Sequence, residues 1–224
     1  MTDTHNSVRK QLRALDVLKG SPTDPPGFES FPATPHEAFE QWLSNAIAYG
    51  VVEPHAMVLS TVSKDSAPDA RVLILKDVDS RGWHFAIKAA SPKGEQIANN
   101  SQVALTFYWK EQARQIRLRG RAQQLSEDEC VQDFADRPRD SKVSAVASKQ
   151  SAMLASRDEL LEAVKEKKHT FSEEAEGVAA SGWKVYAVAP QVMEFWQGSP
   201  DRLHHRLRYE LGEGDQWEKQ LLWP

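Results

Sequence analysis

The sequence contains a single cysteine and no long apolar run. Cys130 is the only cysteine among 224 residues, which excludes an internal disulfide framework and is typical of a reducing compartment. No apolar stretch approaches the length of a membrane span, and the first residues lack the charged and apolar regions of a signal peptide. We therefore predict a cytoplasmic protein with no membrane association. We also predict that Cys130, which follows an acidic stretch, is a structural thiol on or under a helix.

Common catalytic motifs are absent as well. There is no G-x-G-x-x-G, Walker loop, G-x-S-x-G or H-E-x-x-H motif, which argues against a Rossmann dehydrogenase, a P-loop NTPase, an α/β-hydrolase and a zincin. The net charge of -4 and the pI near 6.0 give no overall basic field for nucleic acid. His204 and His205 are adjacent and would point to opposite faces of a strand, so no metal site is predicted.

Proline and apolar periodicity divide the chain. Five prolines between positions 22 and 35 predict an extended N-terminal arm over residues 1–35. Residues 36–224 are predicted to form a single domain, which begins with an amphipathic helix over 36–48. Further helices are predicted over 93–100, over 126–136 with a Ser126/Glu129 capping box, and over most of 141–171.

Most of the remaining chain has strand character. The predicted strands are 56–62, 71–76, 83–88, 103–109, 115–122, 183–188, 192–196, 207–209 and 217–222. Many short strands joined by short turns favour a closed antiparallel barrel, because a parallel sheet needs a helix at every crossover. The predicted fold is mainly β, of the α+β type, with helices at the periphery.

Cations bracket one apolar run. Arg71 and Lys76 enclose four aliphatic residues, and buried charged side chains require anionic or solvent partners. Alternation places Arg71 and Lys76 on opposite faces of an ideal strand, so a shared ligand would lie at a strand end or at a bend. Two cations that reach the barrel rim are the simpler interpretation of this run alone.

Other basic segments leave two interpretations open. Arg137, Arg139 and Ser141 follow a predicted helix and suit either a bound phosphate or a solvated loop. Gln115 and the arginines at 117, 119 and 121 share one strand face, which is a solvent face or an interface.

The C-terminal part combines aromatic and basic residues. Trp196 precedes Arg202, His204 and Arg206, a mixture that can stack on a flat ring and hold its acidic substituents. A core tryptophan beside a basic turn is the alternative interpretation. Binding of RNA by these residues is a further one, against which the net charge argues.

Taken together, these segments resemble the pyridoxine/pyridoxamine 5′-phosphate oxidase family from about residue 31 to residue 224. The six matching stretches are residues 71–76, 91–93, 114–116, 137–141, 148–151 and 194–206. The resemblance implies an FMN-binding split β-barrel that forms a homodimer, with two FMN molecules in clefts between the subunits. It also implies oxidation of pyridoxamine or pyridoxine 5′-phosphate to pyridoxal 5′-phosphate by two-electron transfer to the flavin, with O2 as acceptor and H2O2 as product.

The resemblance also implies site residues. The implied FMN contacts are Arg71, Val72, Leu73, Ile74, Leu75, Lys76, Lys93, Gln115, Gln150, Ser151, Trp196 and Arg206, some of them from the partner chain, with Arg71 and Lys93 toward the FMN phosphate. Lys76, Arg137 and Ser141 would bind the substrate phosphate. Arg202 and His204 would lie over the substrate as catalytic residues.

The sequence departs from the family pattern at four positions. Ala86 and Ile87 replace a Tyr-Thr pair, and Pro92 replaces an arginine, which implies fewer side-chain contacts to FMN. Asp133 stands where the family has a tyrosine that holds the substrate phosphate, and a carboxylate there would repel a phosphate.

These departures keep other functions open. Residues 91–94, 108–111 and 202–209 also look like the phenazine-biosynthesis oxidases, which share the fold and FMN but oxidise a reduced tricyclic carboxylic acid. A flavin-binding protein without turnover is a further alternative, against which Arg202 and His204 argue. Haem or a deazaflavin in place of FMN is another.

Overall fold

The structure is a computed structural model that describes residues 4–21, 27–171 and 181–224. The chain divides into two compact units. Unit 1 comprises Met1–Pro54, Phe107–Arg117 and Met193–Pro224, and unit 2 comprises His55–Thr106 and Leu118–Val192. None of the described helices is long and apolar enough to cross a membrane.

Groups of helices and groups of strands follow one another along the described chain, and the strands join one sheet. The elements are α1 (Thr4–Arg13), α2 (Pro35–Tyr49), β1 (Ala56–Val62), β2 (Pro68–Ile74), β3 (Asp77–Asp79), β4 (Gly82–Lys88), α3 (Pro92–Asn99), β5 (Gln102–Trp109), β6 (Arg114–Gln124), α4 (Glu127–Ala135), α5 (Arg139–Ala147), α6 (Arg157–Thr170), β7 (Trp183–Gln197), β8 (His205–Leu211) and β9 (Trp217–Leu221). The strand order is β2-β1-β5-β6-β7-β4-β3, and β8 pairs with β7 and β9. The pairs β1–β2, β1–β5, β3–β4, β4–β7 and β8–β9 are antiparallel. The predicted mainly-β architecture with peripheral helices is confirmed.

Unit 1 is built on helix α2 and an aromatic core. Thr34 and Glu37 form a capping box at the start of α2, and Gly50 ends the helix at a positive φ of 83°. The ring of Trp42 lies 5.6 Å from that of Phe31 and 5.2 Å from that of Phe195, both edge-on. Burial of each such side chain contributes about 1.5–3 kcal/mol, so this cluster fixes α2 within the unit.

Unit 2 contains the β1–β2 hairpin, the β3–β4 pair and helices α3 to α6. Between α4 and β7, a second cluster of buried side chains includes Cys130, Phe134, Trp183 and Val185. The Cys130 thiol is fully buried and accepts a hydrogen bond from the backbone N–H of Val185 at 3.2 Å. The prediction of a structural cysteine at a helix is therefore confirmed.

Three elements differ from the sequence prediction. Residues 4–13 form α1, although the arm was predicted to be extended, because its prolines begin only at position 22 and leave this segment free to be helical. The three-residue strand β3 was not predicted. Strand β7 runs without a break through Pro190, where two strands were predicted. Gly120 has no side chain to meet the backbone of Ala189 and Pro190, so the chain can continue there as a strand.

Candidate functional site

A cavity of about 530 Å³ in unit 2 brings together several predicted site residues. Its wall consists of Leu73, Ala86, Ile87, Lys88, Lys93, Arg137, Asp140, Ser141, Ser144, Ala145, Ser148, Gln150 and Trp183. Five of these, Leu73, Lys93, Arg137, Ser141 and Gln150, were predicted to bind a cofactor or a substrate phosphate. Residues predicted from separate segments of the sequence therefore share one cavity.

The start of helix α3 positions Lys93 in the cavity wall. Ser91 caps the helix by accepting a hydrogen bond from the backbone N–H of Gly94 at 3.3 Å. A side chain at Gly94 would collide with the carbonyl oxygens of Lys88 and Ala89, so only glycine allows α3 to begin this close to the end of β4. Lys93 is 6% exposed, and its Nζ donates a hydrogen bond to Ser91 Oγ at 3.3 Å.

Arg71 is fixed on β2 by several hydrogen bonds. Its guanidinium donates to Thr61 Oγ1 at 2.6 Å, to Gln96 Oε1 at 3.3 Å and to the carboxylate of Asp69. The side chain of Arg71 is only 21% exposed. The hydrogen bond to Gln96 connects Arg71 to helix α3, which also carries Lys93, and the positive charge of Arg71 adds to burial in lowering the pKa of Lys93.

The cations around this cavity are destabilised by burial and by one another. Burial lowers the pKa of Lys88, Lys93 and Arg137. The charge of Arg137 lowers the pKa of Lys88 further, and that of Lys88 lowers the pKa of Lys93. Lys88 donates to the Ser148 carbonyl oxygen at 2.6 Å and to Ser148 Oγ at 3.0 Å, which ties it to the end of α5. A bound anion would counter the repulsion among these cations, so the cavity favours an anionic ligand.

Arg137 carries a hydrogen-bond donor without a partner. Its guanidinium carbon lies 4.2 Å from the centre of the Trp183 ring, in cation–π geometry. Its Nε is buried and has no hydrogen-bond partner among the described residues. An unpaired buried donor costs about 1–3 kcal/mol, and Arg137 lines the cavity, so its guanidinium retains hydrogen-bonding capacity for an acceptor there.

Lys76 does not line this cavity, although it was predicted to contact both FMN and the substrate phosphate. Strand β2 ends at Ile74, so Lys76 lies beyond the strand in which it was predicted. Its Nζ lies 3.1 Å from Asp133 Oδ1. Asp133 Oδ2 accepts a hydrogen bond from the Trp183 indole N–H at 2.7 Å, so the carboxylate is held from both sides.

A second cavity, of about 810 Å³ and confined to unit 1, contains the predicted catalytic residues. It is lined by Asp16, Val17, Leu18, Lys19, Gly20, Tyr49, Tyr108, Lys110, Glu111, Trp196, Arg202 and His204. His204 Nδ1 accepts a hydrogen bond from the Ser199 backbone N–H at 3.1 Å. The neutral imidazole therefore carries its hydrogen on Nε2, which can donate to a ligand. The imidazole ring lies 4.8 Å from the ring of Trp196.

Arg202 occupies a strained backbone position. Its φ is +69°, and its backbone N–H donates a hydrogen bond to the Ser199 carbonyl oxygen at 3.1 Å. A non-glycine residue in this region costs about 1–3 kcal/mol, and such strain is concentrated at functional sites. Its side chain is exposed and lines the cavity.

The other predicted FMN contacts lie outside these two cavities. Arg206 Nε donates to Glu194 Oε1 at 2.9 Å, and its Nη1 donates to the Trp223 carbonyl oxygen at 2.8 Å. Gln115 is half-buried on β6, where the arginines at 117, 119 and 121 are exposed as predicted for that face. Ser151, at a φ of +66°, lines a third cavity of about 430 Å³, and Gln150 lines both this cavity and the first one.

The aliphatic residues between Arg71 and Lys76 differ in exposure. Val72 is 64% and Ile74 is 40% exposed, whereas Leu75 is buried and Leu73 reaches the cavity wall in unit 2. Val72 and Ile74 face outward, where a partner chain or a ligand can contact them. They are two residues apart because successive side chains of a strand point to opposite faces.

Several residues of the cavity walls were not predicted. Lys88 ends a predicted strand three residues before Ser91, and its position beside the Ser91-Pro92-Lys93 stretch was the available signal. Tyr108 lies in the 108–111 stretch that resembles the phenazine-biosynthesis oxidases, whereas Trp183 carried no comparable signal, because an aromatic residue in a strand is usually part of a core. Contacts with residues that are far away in the sequence bring Trp183 and Tyr108 into the cavity walls.

Two family profiles match the chain. Residues 43–170 match the family described as pyridoxamine 5′-phosphate oxidase. Residues 183–224 match a second family, described as the pyridoxine 5′-phosphate oxidase C-terminal dimerisation region.

Relatives named pyridoxine/pyridoxamine 5′-phosphate oxidase extend the likeness over most of the chain. One from Trichormus variabilis is 40% identical over 190 residues, which cover 85% of this chain and 88% of the relative. One from a Cyanothece species is 36% identical over 224 residues and covers all of both chains.

Solved structures share the fold. PhzG from Burkholderia lata, in complex with tetrahydrophenazine-1-carboxylic acid, superposes with a TM-score of 0.82 and 29% identity over 92% of this chain and 100% of that one. A pyridoxamine 5′-phosphate oxidase-related, FMN-binding protein from Nostoc punctiforme has a TM-score of 0.67 over 87% of this chain and all of that one, at 13% identity, and shows likeness of fold alone. The predicted split β-barrel with peripheral helices is confirmed by these structures. The chain therefore belongs to the pyridoxine/pyridoxamine 5′-phosphate oxidase family, a family of FMN-dependent oxidases.

Proposed function

We propose that the chain oxidises pyridoxamine or pyridoxine 5′-phosphate to pyridoxal 5′-phosphate, with FMN as cofactor, O2 as acceptor and H2O2 as product. The observation that carries the proposal is the cavity in unit 2, where buried cations and the unpartnered Nε of Arg137 call for an anion. FMN and a phosphorylated substrate would each supply a phosphate. The names of the relatives support this substrate class.

The residues around this cavity suit FMN. Arg71 and Lys93 would bind the FMN phosphate, because Arg71 bonds Gln96 of α3 and Lys93 lies in the first turn of that helix, where the helix dipole favours an anion. Gln150, Ser151, Gln115, Trp196 and Arg206, with Lys76 and residues 72–75 of the β2 segment, would complete the contacts. We propose a homodimer in which a partner chain supplies some of them, and the C-terminal dimerisation region supports this. Bound FMN would supply the two-electron acceptor.

In the proposed homodimer, the two chains together would supply the substrate contacts. Arg137 and Ser141 would bind the substrate phosphate, since both line the cavity in unit 2 and the Nε of Arg137 has no hydrogen-bond partner among the described residues. Arg202 and His204 would orient the part of the substrate that reacts. The Ser199 N–H fixes the His204 ring so that Nε2–H would donate to the substrate, and the guanidinium of Arg202 would position the reacting region.

The decisive experiment is an assay of turnover. Purified protein reconstituted with FMN is incubated in air with pyridoxamine 5′-phosphate, and pyridoxal 5′-phosphate and H2O2 are both measured. We expect the two products in equal amounts. Absence of both would refute the proposal. If the flavin also keeps its yellow colour under anaerobic conditions with every amine and alcohol tested, the chain is a flavin-binding protein without turnover.

The ion pair between Lys76 and Asp133 favours a second candidate function. It engages one of the cations predicted to bind the substrate phosphate. PhzG was solved in complex with a tricyclic monocarboxylic acid, which needs fewer cations than a phosphate dianion. An oxidase of the phenazine-biosynthesis type is therefore the alternative, and oxidation of a reduced phenazine carboxylic acid in the same assay would identify it.

Replacement of Lys93 by methionine should have opposite effects on stability and on cofactor binding. Burial and neighbouring cations lower the pKa of Lys93, so its charge destabilises the ligand-free protein at neutral pH, and this penalty is relieved only as the pH rises toward 10.5. We expect Lys93→Met to raise the Tm of the ligand-free protein by about 2–4 °C, which corresponds to about 1 kcal/mol. We expect FMN to bind at least about tenfold more weakly, because a charge-assisted hydrogen bond to its phosphate is lost.

Thermal unfolding without FMN and fluorescence titration with FMN test these two effects. Lys165→Met, which removes an exposed lysine of α6, is the matched control and should change neither quantity. A lower Tm together with unchanged FMN affinity would show that Lys93 has a structural role and does not contact the cofactor.

A further inference from the structure

Asp133 is held in place by two contacts of different kinds. One carboxylate oxygen accepts a hydrogen bond from the indole of Trp183 at 2.7 Å, and the other lies 3.1 Å from Lys76 Nζ. Trp183 belongs to the wall of the cavity in unit 2, and its ring also stacks against Arg137. Asp133 therefore connects the wall that carries Arg137 to a lysine outside the cavity.

The charge of Asp133 acts on both cations that would receive the substrate phosphate. The ion pair engages Lys76, whose side chain is 34% exposed and could otherwise turn toward a ligand. The carboxylate also lies close enough to Arg137 to raise the pKa of its guanidinium against the larger, opposing effect of burial. A dianionic phosphate beside Arg137 would meet this fixed negative charge, and its repulsion grows with each charge on the ligand.

We propose that Asp133 is a specificity-determining residue that weakens the binding of phosphate dianions and leaves the binding of the uncharged ring system unchanged. The inference rests on the proposed function, since it concerns the phosphate end of the same site. Asp133 would act in two ways, by retaining Lys76 and by repelling the phosphate. The chain would then discriminate less strongly between a phosphorylated substrate and one that carries a single carboxylate or no charge.

An Asp133→Asn variant removes the charge with little change of shape. The asparagine oxygen can still accept the hydrogen bond from Trp183, so the cavity wall should be preserved, and near-ultraviolet circular dichroism would verify this. In the FMN-reconstituted protein, we expect Asp133→Asn to bind pyridoxal 5′-phosphate about tenfold more tightly, as expected for one gained charge-assisted contact. The affinity for unphosphorylated pyridoxal should change less than about twofold, since no phosphate is involved.

A double-mutant cycle with Lys76 separates the two ways in which Asp133 would act. In the wild-type background, Lys76→Met should weaken binding of pyridoxal 5′-phosphate less than about threefold, because Lys76 is already paired. In the Asp133→Asn background, the same change should weaken it about tenfold, because the released ammonium reaches the phosphate. Equal costs in both backgrounds would mean that Asp133 acts by repulsion alone, and this would overturn the part of the proposal that concerns Lys76.

Asp128→Asn is the matched control. It removes one negative charge from an exposed position of the same helix α4 and should leave both affinities unchanged. An unchanged or weaker affinity of Asp133→Asn for pyridoxal 5′-phosphate would overturn the inference, as would an equal gain in Asp128→Asn. Failure of the proposed function looks different, because neither the wild type nor any variant would then oxidise pyridoxamine 5′-phosphate.

Discussion

Replacement of Arg202 by methionine will lower kcat/KM for pyridoxamine 5′-phosphate by about 10³-fold and will leave FMN affinity within about twofold of the wild type. The guanidinium lines the same cavity as His204 and Trp196, in the segment where the proposed reaction takes place. Loss of a donor that orients the reacting groups typically costs a factor of about 10²–10³. Most of the change should lie in kcat.

The backbone conformation at Arg202 allows the methionine variant to be compared directly with the wild type. Methionine and arginine meet the same steric penalty at a φ of +69°, so the variant should fold as the wild type does. Arg202→Lys keeps the charge but loses the planar fork, and it should recover part of the rate. Arg157→Met, at the exposed start of α6, should have no effect. Steady-state kinetics with both products measured, and FMN titration, supply the data. A loss confined to FMN affinity would assign Arg202 to the cofactor.

Arg137→Met should raise KM for pyridoxamine 5′-phosphate about 100-fold or more, which is the second large effect we expect. The buried Nε of Arg137 has no partner in the described part of the chain, and its guanidinium is already oriented by the Trp183 ring. A bidentate, charge-assisted contact to phosphate therefore forms at little cost in side-chain entropy. Because the contact is made equally in the ground state and the transition state, kcat should change little.

A substrate without the phosphate provides the internal control. Turnover of unphosphorylated pyridoxamine, although slow, should be the same in Arg137→Met and in the wild type. Arg139→Met removes a neighbouring, exposed arginine whose guanidinium lies near the Lys168 carbonyl oxygen at 3.4 Å, and it should leave KM unchanged. A rise in KM of the same size for both substrates would show that Arg137 holds the cavity wall and does not bind phosphate.

The strands and the cation-rich segments could be predicted because their signals are local. The first strand was predicted over the residues that form β1, and the capping box of Ser126 and Glu129 marked the start of α4. Arg137 and Lys93 were predicted as ligand residues through the resemblance of residues 137–141 and 91–93 to the oxidase family, because composition alone left Arg137 open between a phosphate site and a solvated loop. They do share a cavity.

The pairing of these residues could not be predicted. Asp133 and Lys76 are far apart in the sequence, and nothing in the residues around either one indicates that they form an ion pair. The position of Arg137 on the face of Trp183 likewise depends on where α4 and β7 meet. The sequence therefore predicts which side chains are able to bind an anion, and the tertiary structure determines which of them are free to do so.

Strand β2 lies at the end of the strand order and turns Val72 and Ile74 outward. An edge strand with exposed apolar side chains is usually covered by another chain, and the thermodynamics of such a protein obey mass action. Its apparent stability would fall by about 1.4 kcal/mol per mole of dimer for each tenfold dilution. In the proposed homodimer, where the partner chain would supply some of the FMN contacts, retention of the cofactor would fall as well, so the specific activity of a dilute sample would depend on the enzyme concentration at which it was stored.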